Sequence, residues 1–503
     1  MDDKIKIRLV LYGIISACTY VYLIMTPNPG ISIPIFIIVQ FICLWLVLKN
    51  KKEIKNPKGL LAIIPIFIIS LNHFISANNM WRTTNFFVAV FLYSAMFLIL
   101  NGKLNFETID IGSFKRCVIN IFEPVFNFDV PFKWMSEKSE DKEKCILIKR
   151  ILTGVVITIP CVVFLTMMLS SVDLIFYKNL ASINKCIADS LNILLLYKWV
   201  AGIFVGLYLF GHLYSVFSEN DSINDRRVSI KNNAEAIKVK GDIIVLNILL
   251  VSVLTIYSIF IVIQFKYLFS SGTLPYGLNY ADYARRGFFE LVFLSVLNIV
   301  LILTVTYLLK DKIYGEKAKW ALFTKFMLVY LCILTGIMLV SSYYRMSLYD
   351  SAYGFTRLRI LVYLFLIFEA VGLAATLIYI IKYSFNILAV YITVALSFYL
   401  TLNLVKIDEI IAKRNIDMYF AGQTETLDMD YLMTLSADAV PQIMRLLDKD
   451  VKFGIRNNAR MYLEGKNKLY NNMEYRWRSY NLSVEKTKRL LSENSDKLQF
   501  KYD

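Results

Sequence analysis

The chain has 503 residues, of which 57% are hydrophobic, 15% aromatic and only 19% charged, and its net charge is +16. Soluble domains hold about 25% charged residues, so this composition excludes an ordinary soluble fold and predicts an all-α, polytopic membrane protein. Two histidines, His73 and His212, leave almost no material for a His-based triad or a multi-His metal centre. No G-x-x-x-x-G-K phosphate loop or dinucleotide fingerprint occurs, so no cofactor is expected.

An α-helix needs roughly 17 to 25 apolar residues to cross about 30 Å of hydrocarbon. On that measure eleven transmembrane helices are predicted, over Arg8–Met25, Ile31–Leu48, Gly59–Ser76, Phe86–Leu100, Ile151–Ser170, Leu191–Phe217, Ile243–Phe265, Phe288–Leu309, Trp320–Ser342, Ile360–Ile381 and Asn386–Val405. The fourth is the short one. With the N-terminus in the cytoplasm, the inner segments carry 27 Lys and Arg and the outer loops 9, the bias expected when basic loops stay inside. The net charge is therefore a topology signal, and no nucleic-acid partner is expected. This gives a bacterial cytoplasmic membrane protein, multi-pass, divided into a four-span region (1–100), a cytoplasmic amphipathic linker (101–150), a seven-span core (151–405) and a small polar α-helical domain (406–503). Eleven spans put that last piece outside; one fewer would bring it into the cytoplasm.

In chain order, Lys4, Lys6 and Arg8 precede the first apolar run, which ends in the turn Thr26–Gly30 without a small-residue cleavage site and reads as an uncleaved signal anchor. The seven cysteines imply no disulfide framework or paired-Cys metal site. His73 reads as a packing residue near the outer end of its span. Phe114–Trp134 is rich in Phe and Val with scattered basic residues, an interfacial amphipathic segment broken at Pro124 and Pro131. Val172–Asn192 reads as an outer amphipathic segment. Lys198 lies about 10 Å from the outer end of its span at 1.5 Å per residue, near enough to snorkel, and Lys325 can likewise reach the inner surface. Glu369 falls in the middle of its span, where neither surface is within reach, and is the candidate ion or proton site. Its bland reading is a protonated Glu bonded to a neighbouring helix.

The outer segments Lys266–Gly287 and Ser341–Arg359 contain five Arg and one Lys, whereas only five of the 27 inner cations are Arg. A planar guanidinium suits bidentate bonds to carboxylate or phosphate and stacking on aromatic rings. Seven tyrosines accompany them. If Tyr280 onward is helical, Asp282, Arg286 and Glu290 form a ladder four residues apart. The candidate ligand-binding residues are Tyr280, Asp282, Tyr283, Arg285, Arg286, Glu290, Arg345, Tyr349, Asp350, Arg357 and Arg359; the plainer reading is a tyrosine belt with internal salt bridges. After Val405 the hydropathy falls. Asp428–Leu447 repeats apolar residues at steps of three and four, an amphipathic helix that Pro441 bends or divides. Further helices are predicted over Asn458–Tyr470 and Ser483–Leu498. Asp428, Asp430 and Asp438 lack the compact loop of a calcium site and read as capping residues.

Tyr280-Ala-Asp-Tyr-Ala-Arg-Arg-Gly-Phe-Phe-Glu-Leu291, Arg345-Met-x-Leu-Tyr349, Tyr353-Gly-Phe-Thr-Arg-Leu-Arg359, Asn403, Ile407-Asp-x-Ile-Ile-Ala412 with Arg414-Asn415, and the Leu427–Pro441 stretch resemble a bacterial multi-pass family, domain of unknown function number 4173. The resemblance covers roughly residues 150–445 and brings no activity or substrate with it. The expected role is non-enzymatic: a sensor or scaffold in the lipid bilayer whose outer Arg and Tyr recognise an anionic ligand, a lipid head group, a protein partner or the chain's own C-terminal piece. The alternatives are an ion- or proton-coupled transporter using Glu369, and a membrane enzyme acting on a lipid-linked phosphate beside Asp282 and Glu290.

Overall fold

Ten of the eleven predicted spans lie within the described residues, save 191–192 and 265 at the ends of two of them, and the described part of each is helical. The structure is a computed structural model that describes residues 2–49, 54–137, 193–218, 242–264, 288–314, 319–448, 451–473 and 476–498. The fifth predicted span, the Val172–Asn192 segment and the loop 265–287 lie outside the described residues. Among the described residues no strand occurs, and nine helices are long and apolar enough to cross a membrane, with Ser32–Leu48 a shorter apolar one. The molecule is an integral membrane protein of polytopic, all-α architecture.

The elements are α1 (Asp3–Thr19, continued by a wider turn to Ile24), α2 (Ser32–Leu48), α3 (Ile63–Ile75), α4 (Arg82–Leu100), α5 (Ile111–Phe122), α6 (Val130–Glu137), α7 (Ile193–Phe217), α8 (Ile243–Gln264), α9 (Phe288–Leu308), α10 (Lys310–Tyr314), α11 (Lys319–Tyr353), α12 (Arg357–Lys382) and α13 (Ile387–Leu404). The C-terminal helices are α14 (Ile407–Phe420), α15 (Met429–Met433), α16 (Val440–Asp448), α17 (Phe453–Asn471), α18 (Leu482–Glu493) and α19 (Ser495–Leu498).

Lipid tails offer little contrast to an apolar side chain, so spans associate through close backbone approach and interhelical polar contacts. Both devices are present. Gly202 and Gly206, four apart on α7, let α1 come so near that a Cβ on Gly206 would stand 2.5 Å from the Gly13 carbonyl oxygen. Around that contact Leu9, Tyr12, Leu44, Phe97, Phe210 and Leu213 form one core. A second, of α8, α9, α11 and α12, is built on Leu250, Ile302, Leu328, Leu331 and Ile380, and inside it Asn298 donates to Thr335 Oγ1 at 3.1 Å. α13 returns to α3 and α4 through Asn403, whose carbonyl accepts from Asn72 at 2.8 Å and whose side-chain oxygen accepts from Asn85 at 2.7 Å.

Three expectations are corrected. The fourth span is 19 residues, because Arg82–Asn85 already turn as helix. The segment Ser341–Arg359 is mostly not a loop: α11 runs 35 residues, so Arg345, Tyr349 and Asp350 stand on helix and only Gly354–Thr356 break it. Asp428–Leu447 is two helices separated at Thr434–Ser436, with Pro441 in the first turn of α16, where its missing N–H has no helical acceptor to lose. In the predicted linker Pro124 lies in a 3-10 turn between α5 and α6, Pro131 lies in the first turn of α6, and Phe114, Phe122 and Phe126 are exposed.

Candidate functional site

The C-terminal helices have their own core, of Ile411, Ile416, Leu432, Val440, Ile443, Leu463 and Leu491, and sit on one end of the bundle. Two backbone hydrogen bonds begin the attachment: Gly30 N donates to Arg478 O at 3.0 Å and Ile31 N to Tyr480 O at 2.9 Å. A Cβ on Gly30 would fall 2.2 Å from the Tyr480 oxygen, so glycine is required at this crossing. The same end carries the turns after α1 and α3 and the α11–α12 break. Lys55, Lys103, Lys310 and Lys382 belong to the opposite end, where Asn386 donates to Ile109 O and Lys325 to Ile381 O.

Arg357, the first residue of α12, meets the C-terminal helices through one edge of its guanidinium and its backbone N–H. Nε donates to Asp408 Oδ1 and Nη2 to Asp408 Oδ2, each at 2.7 Å, and the Arg357 backbone N–H donates to Tyr431 Oη at 2.8 Å. Asp408 also accepts from Ser436 N at 2.9 Å. The two sides differ: the Asp408 side chain is 0% exposed, that of Arg357 31%. Burial alone pushes the Asp408 carboxyl up, but Arg357 and Ser436 together outweigh it and hold the group below the usual carboxylate range. Three residues before Arg357 the chain turns at Gly354, φ +73°, where a side chain would be strained and would press on Asn415. Asn415 closes the turn by accepting from Phe355 N at 2.6 Å and donating to Phe355 O at 2.9 Å.

Asp438 is a second socket, 1% exposed. One oxygen accepts from Ser76 Oγ at 2.5 Å at the end of α3, the other from Ser483 Oγ in α18, and Lys406 Nζ stands 4.0 Å away. Asn481 adds bonds to the His73 and Ser76 carbonyls at 2.9 and 2.8 Å. Of the three aspartates read as caps, Asp428 is one, accepting from Tyr431 N at 2.9 Å. Asp438 is not: it fastens two distant segments. Nothing in the local sequence separates these roles, since Asp at the start of a short helix serves both.

The predicted site residues divide. Tyr280, Asp282, Tyr283, Arg285 and Arg286 lie outside the described residues, and with them most of the ladder; Glu290 is exposed in the first turn of α9. Arg359 stands over the Tyr349 ring at 4.1 Å, 3.5 Å from buried Asp350, and donates to Gly354 O. Arg345 is buried in the same helix end. Arg357 is turned away from this group to Asp408. Glu369 is 3% exposed in the middle of α12; Ser295 faces its carboxylate while donating to Val292 O at 2.8 Å, and neither carboxylate oxygen has a hydrogen-bond partner among the described residues. Nearby, Tyr391 Oη bonds Thr376 Oγ1 at 2.8 Å and donates to Gly372 O at 3.0 Å. Among the described residues no group of His, Cys, Asp and Glu is arranged to hold a metal ion. Sequence reasoning missed Asp408, Asn415 and Asn481 as anchors; polar residues inside an otherwise polar segment give no sign of being buried.

A family model described as "Domain of unknown function (DUF4153)" matches residues 63–446, from α3 to α16, which takes in Arg357, Asp408, Ser76 and Asp438 and stops short of Asn481 and Ser483. Its number differs from the 4173 expected from the outer-segment wording. No curated protein and no solved structure matches the chain.

Proposed function

We propose that this chain, which belongs to the DUF4153 family, is a non-enzymatic sensor or scaffold of a bacterial cytoplasmic membrane, with its N-terminus inside and residues 406–503 forming an extracytoplasmic domain clasped to the span ends. The observation that carries the reading is the Arg357–Asp408 pair, in which one partner is sealed and the other still reaches solvent. An anionic ligand or acidic partner arriving at the open side of Arg357 competes with Asp408 for the same fork. Because Arg357 begins α12, loss of the clasp is passed to the span that carries Glu369. A ligand shifts such an equilibrium only by its differential affinity for the two states, and an arginine already held by a carboxylate provides that difference.

Spin labels at Asn79→Cys and Lys488→Cys, with the native cysteines replaced, test the clasp. One narrow distance distribution is expected in the parent and a broadened one in Arg357→Gln; identical distributions would remove the clasp from the account. Cysteine labelling of intact cells tests sidedness. Asn79→Cys and Ser492→Cys are expected to react from outside, and Lys103→Cys only after permeabilisation.

The second reading, a transporter coupled through Glu369, is favoured by its unpartnered carboxylate beside Ser295. Proton-coupled flux abolished by Glu369→Gln in proteoliposomes supports it; flux unaffected by that change counts against it.

A further inference from the structure

The stretch 111–127, read from the sequence as interfacial, is inside out for a segment in water. The side of α5 packed on the protein holds Ser113, Cys117 and Asn120, none more than 4% exposed, whereas Phe114, Ile119 and Phe122 are 64%, 53% and 63% exposed. Phe126, in the turn that follows, is 82% exposed. Turning polar groups inward and phenylalanines outward is unfavourable in water and favourable in hydrocarbon. The polar side is tied to α4: Ser94 Oγ donates to Cys117 O and Asn120 Nδ2 to Ser94 O, each at 3.0 Å.

These bonds also fix the level of the segment. Ser94 lies six residues before Leu100, the end of α4, about 9 Å inward at 1.5 Å per residue. α4 has 19 residues, barely enough for roughly 30 Å of hydrocarbon, so this end has little length to project into water. α7 gives the same level. Tyr208 Oη donates to Ile121 O at 2.9 Å, and a Cβ on Gly211 would stand 2.5 Å from the Pro124 oxygen. The end of α7 at Phe217 is nine residues beyond Tyr208 and six beyond Gly211, about 13 and 9 Å. The Tyr208 bond is also what irregular backbone at such a depth requires, a partner from the protein. Charge limits the depth. Arg116 is answered by Asp110 at 3.2 Å, but Lys115 and Glu123 have no ion pair among the described residues, and each must keep its polar end near the head groups. The segment therefore lies along one leaflet, close to its polar edge.

We propose that the face of Phe114, Ile119, Phe122 and Phe126 is a lipid-binding surface that takes the acyl chains of phospholipids in the leaflet on the Lys103 side. This part of the expected cytoplasmic linker is then a re-entrant piece of the membrane region. The surface is separate from the Arg357 clasp, at the other end of the spans, and does not depend on it.

The test places the full chain in vesicles of phosphatidylcholine and phosphatidylglycerol. It is irradiated with a phospholipid carrying a diazirine on its acyl chain or, separately, with a water-soluble diazirine, and adducts are read by peptide mass spectrometry. The tryptic peptide 117–133 is expected to take the lipid probe severalfold more than the peptide holding Phe453, a phenylalanine 83% exposed on the C-terminal helices. With the water-soluble probe the order is expected to reverse. Stronger labelling of 117–133 by the water-soluble probe would put the face in water, and labelling by neither would put it under protein; either result overturns the proposal. Phe122→Ser combined with Phe126→Ser tests the side chains themselves. Both rings are exposed, so thermal unfolding in detergent is expected to stay unchanged while the lipid-probe yield of 117–133 falls severalfold. An unchanged yield in that variant overturns the assignment to this face, and the comparison on the unaltered chain still decides should the variant fail to fold.

Discussion

Arg357 and Asp408 face each other across one ion pair yet stand to lose unequal amounts. Asp408 is fully enclosed, so Arg357→Gln leaves a buried carboxylate without its counter-charge, a change that costs about 3 kcal/mol. Asp408→Asn leaves an arginine whose exposed edge can turn to water, and about 1 kcal/mol is expected. Denaturant unfolding of the C-terminal helices checks the order, and the double variant should cost less than the sum of the two. Glu369 sets the opposite case within the bundle. With no hydrogen-bond partner for either oxygen among the described residues, replacing it by neutral Gln removes little, and Glu369→Gln is expected to unfold within about 1 kcal/mol of the parent. A larger loss in calorimetry would mean that the carboxylate has a structural partner.

Helices are joined in this molecule by close crossings as much as by side-chain bonds. Gly30 has no room for a methyl against Tyr480, so Gly30→Ala is expected to loosen the attachment of α18 while leaving the spans folded. Limited proteolysis within 476–498 should accelerate severalfold, with the α1–α4 fragments unchanged. Gly206→Val acts in the bundle instead, forcing α1 away from α7, and is expected to lower the midpoint of span unfolding by about 2 kcal/mol. The 35-residue length of α11 has a further consequence. Its last turns carry Arg345, Tyr349 and Asp350 as rigid helix, so the Arg359–Asp350 pair braces the α11–α12 break beside the clasp.

Across the whole molecule, two buried carboxylates hold the C-terminal helices to the span ends, and Asp408 makes this attachment pH-dependent. Its folded pKa lies below the ordinary value of 3.8; its contribution is therefore complete above that value and lost as pH falls through the lower, native one. Hydrogen exchange of α14 should be level from pH 7 down to about 5 and rise only below about 4. Asp408→Asn should remove the part of that acid response belonging to this group. An attachment that weakens in mildly acidic medium, near pH 6, would contradict Asp408 as its titrating group.

The length of each apolar run was sufficient to find the spans among the described residues, because crossing a bilayer demands some twenty apolar residues and an internally bonded backbone whatever the neighbours are. The same logic made Glu369 visible, as a charge where none is cheap. What the chain by itself left open was the partner of each polar group. Asp408 and Asp438 look alike in a linear reading, each an acid near a helix start. Their burial depends on Arg357, 51 positions before Asp408, and on Ser76, 362 positions before Asp438. Local preference acts over a helical turn, whereas an ion pair is chosen by whatever packing brings within 3 Å. Only the docked helices therefore decided that Arg357 is held by the C-terminal part and that Arg359 braces a span end.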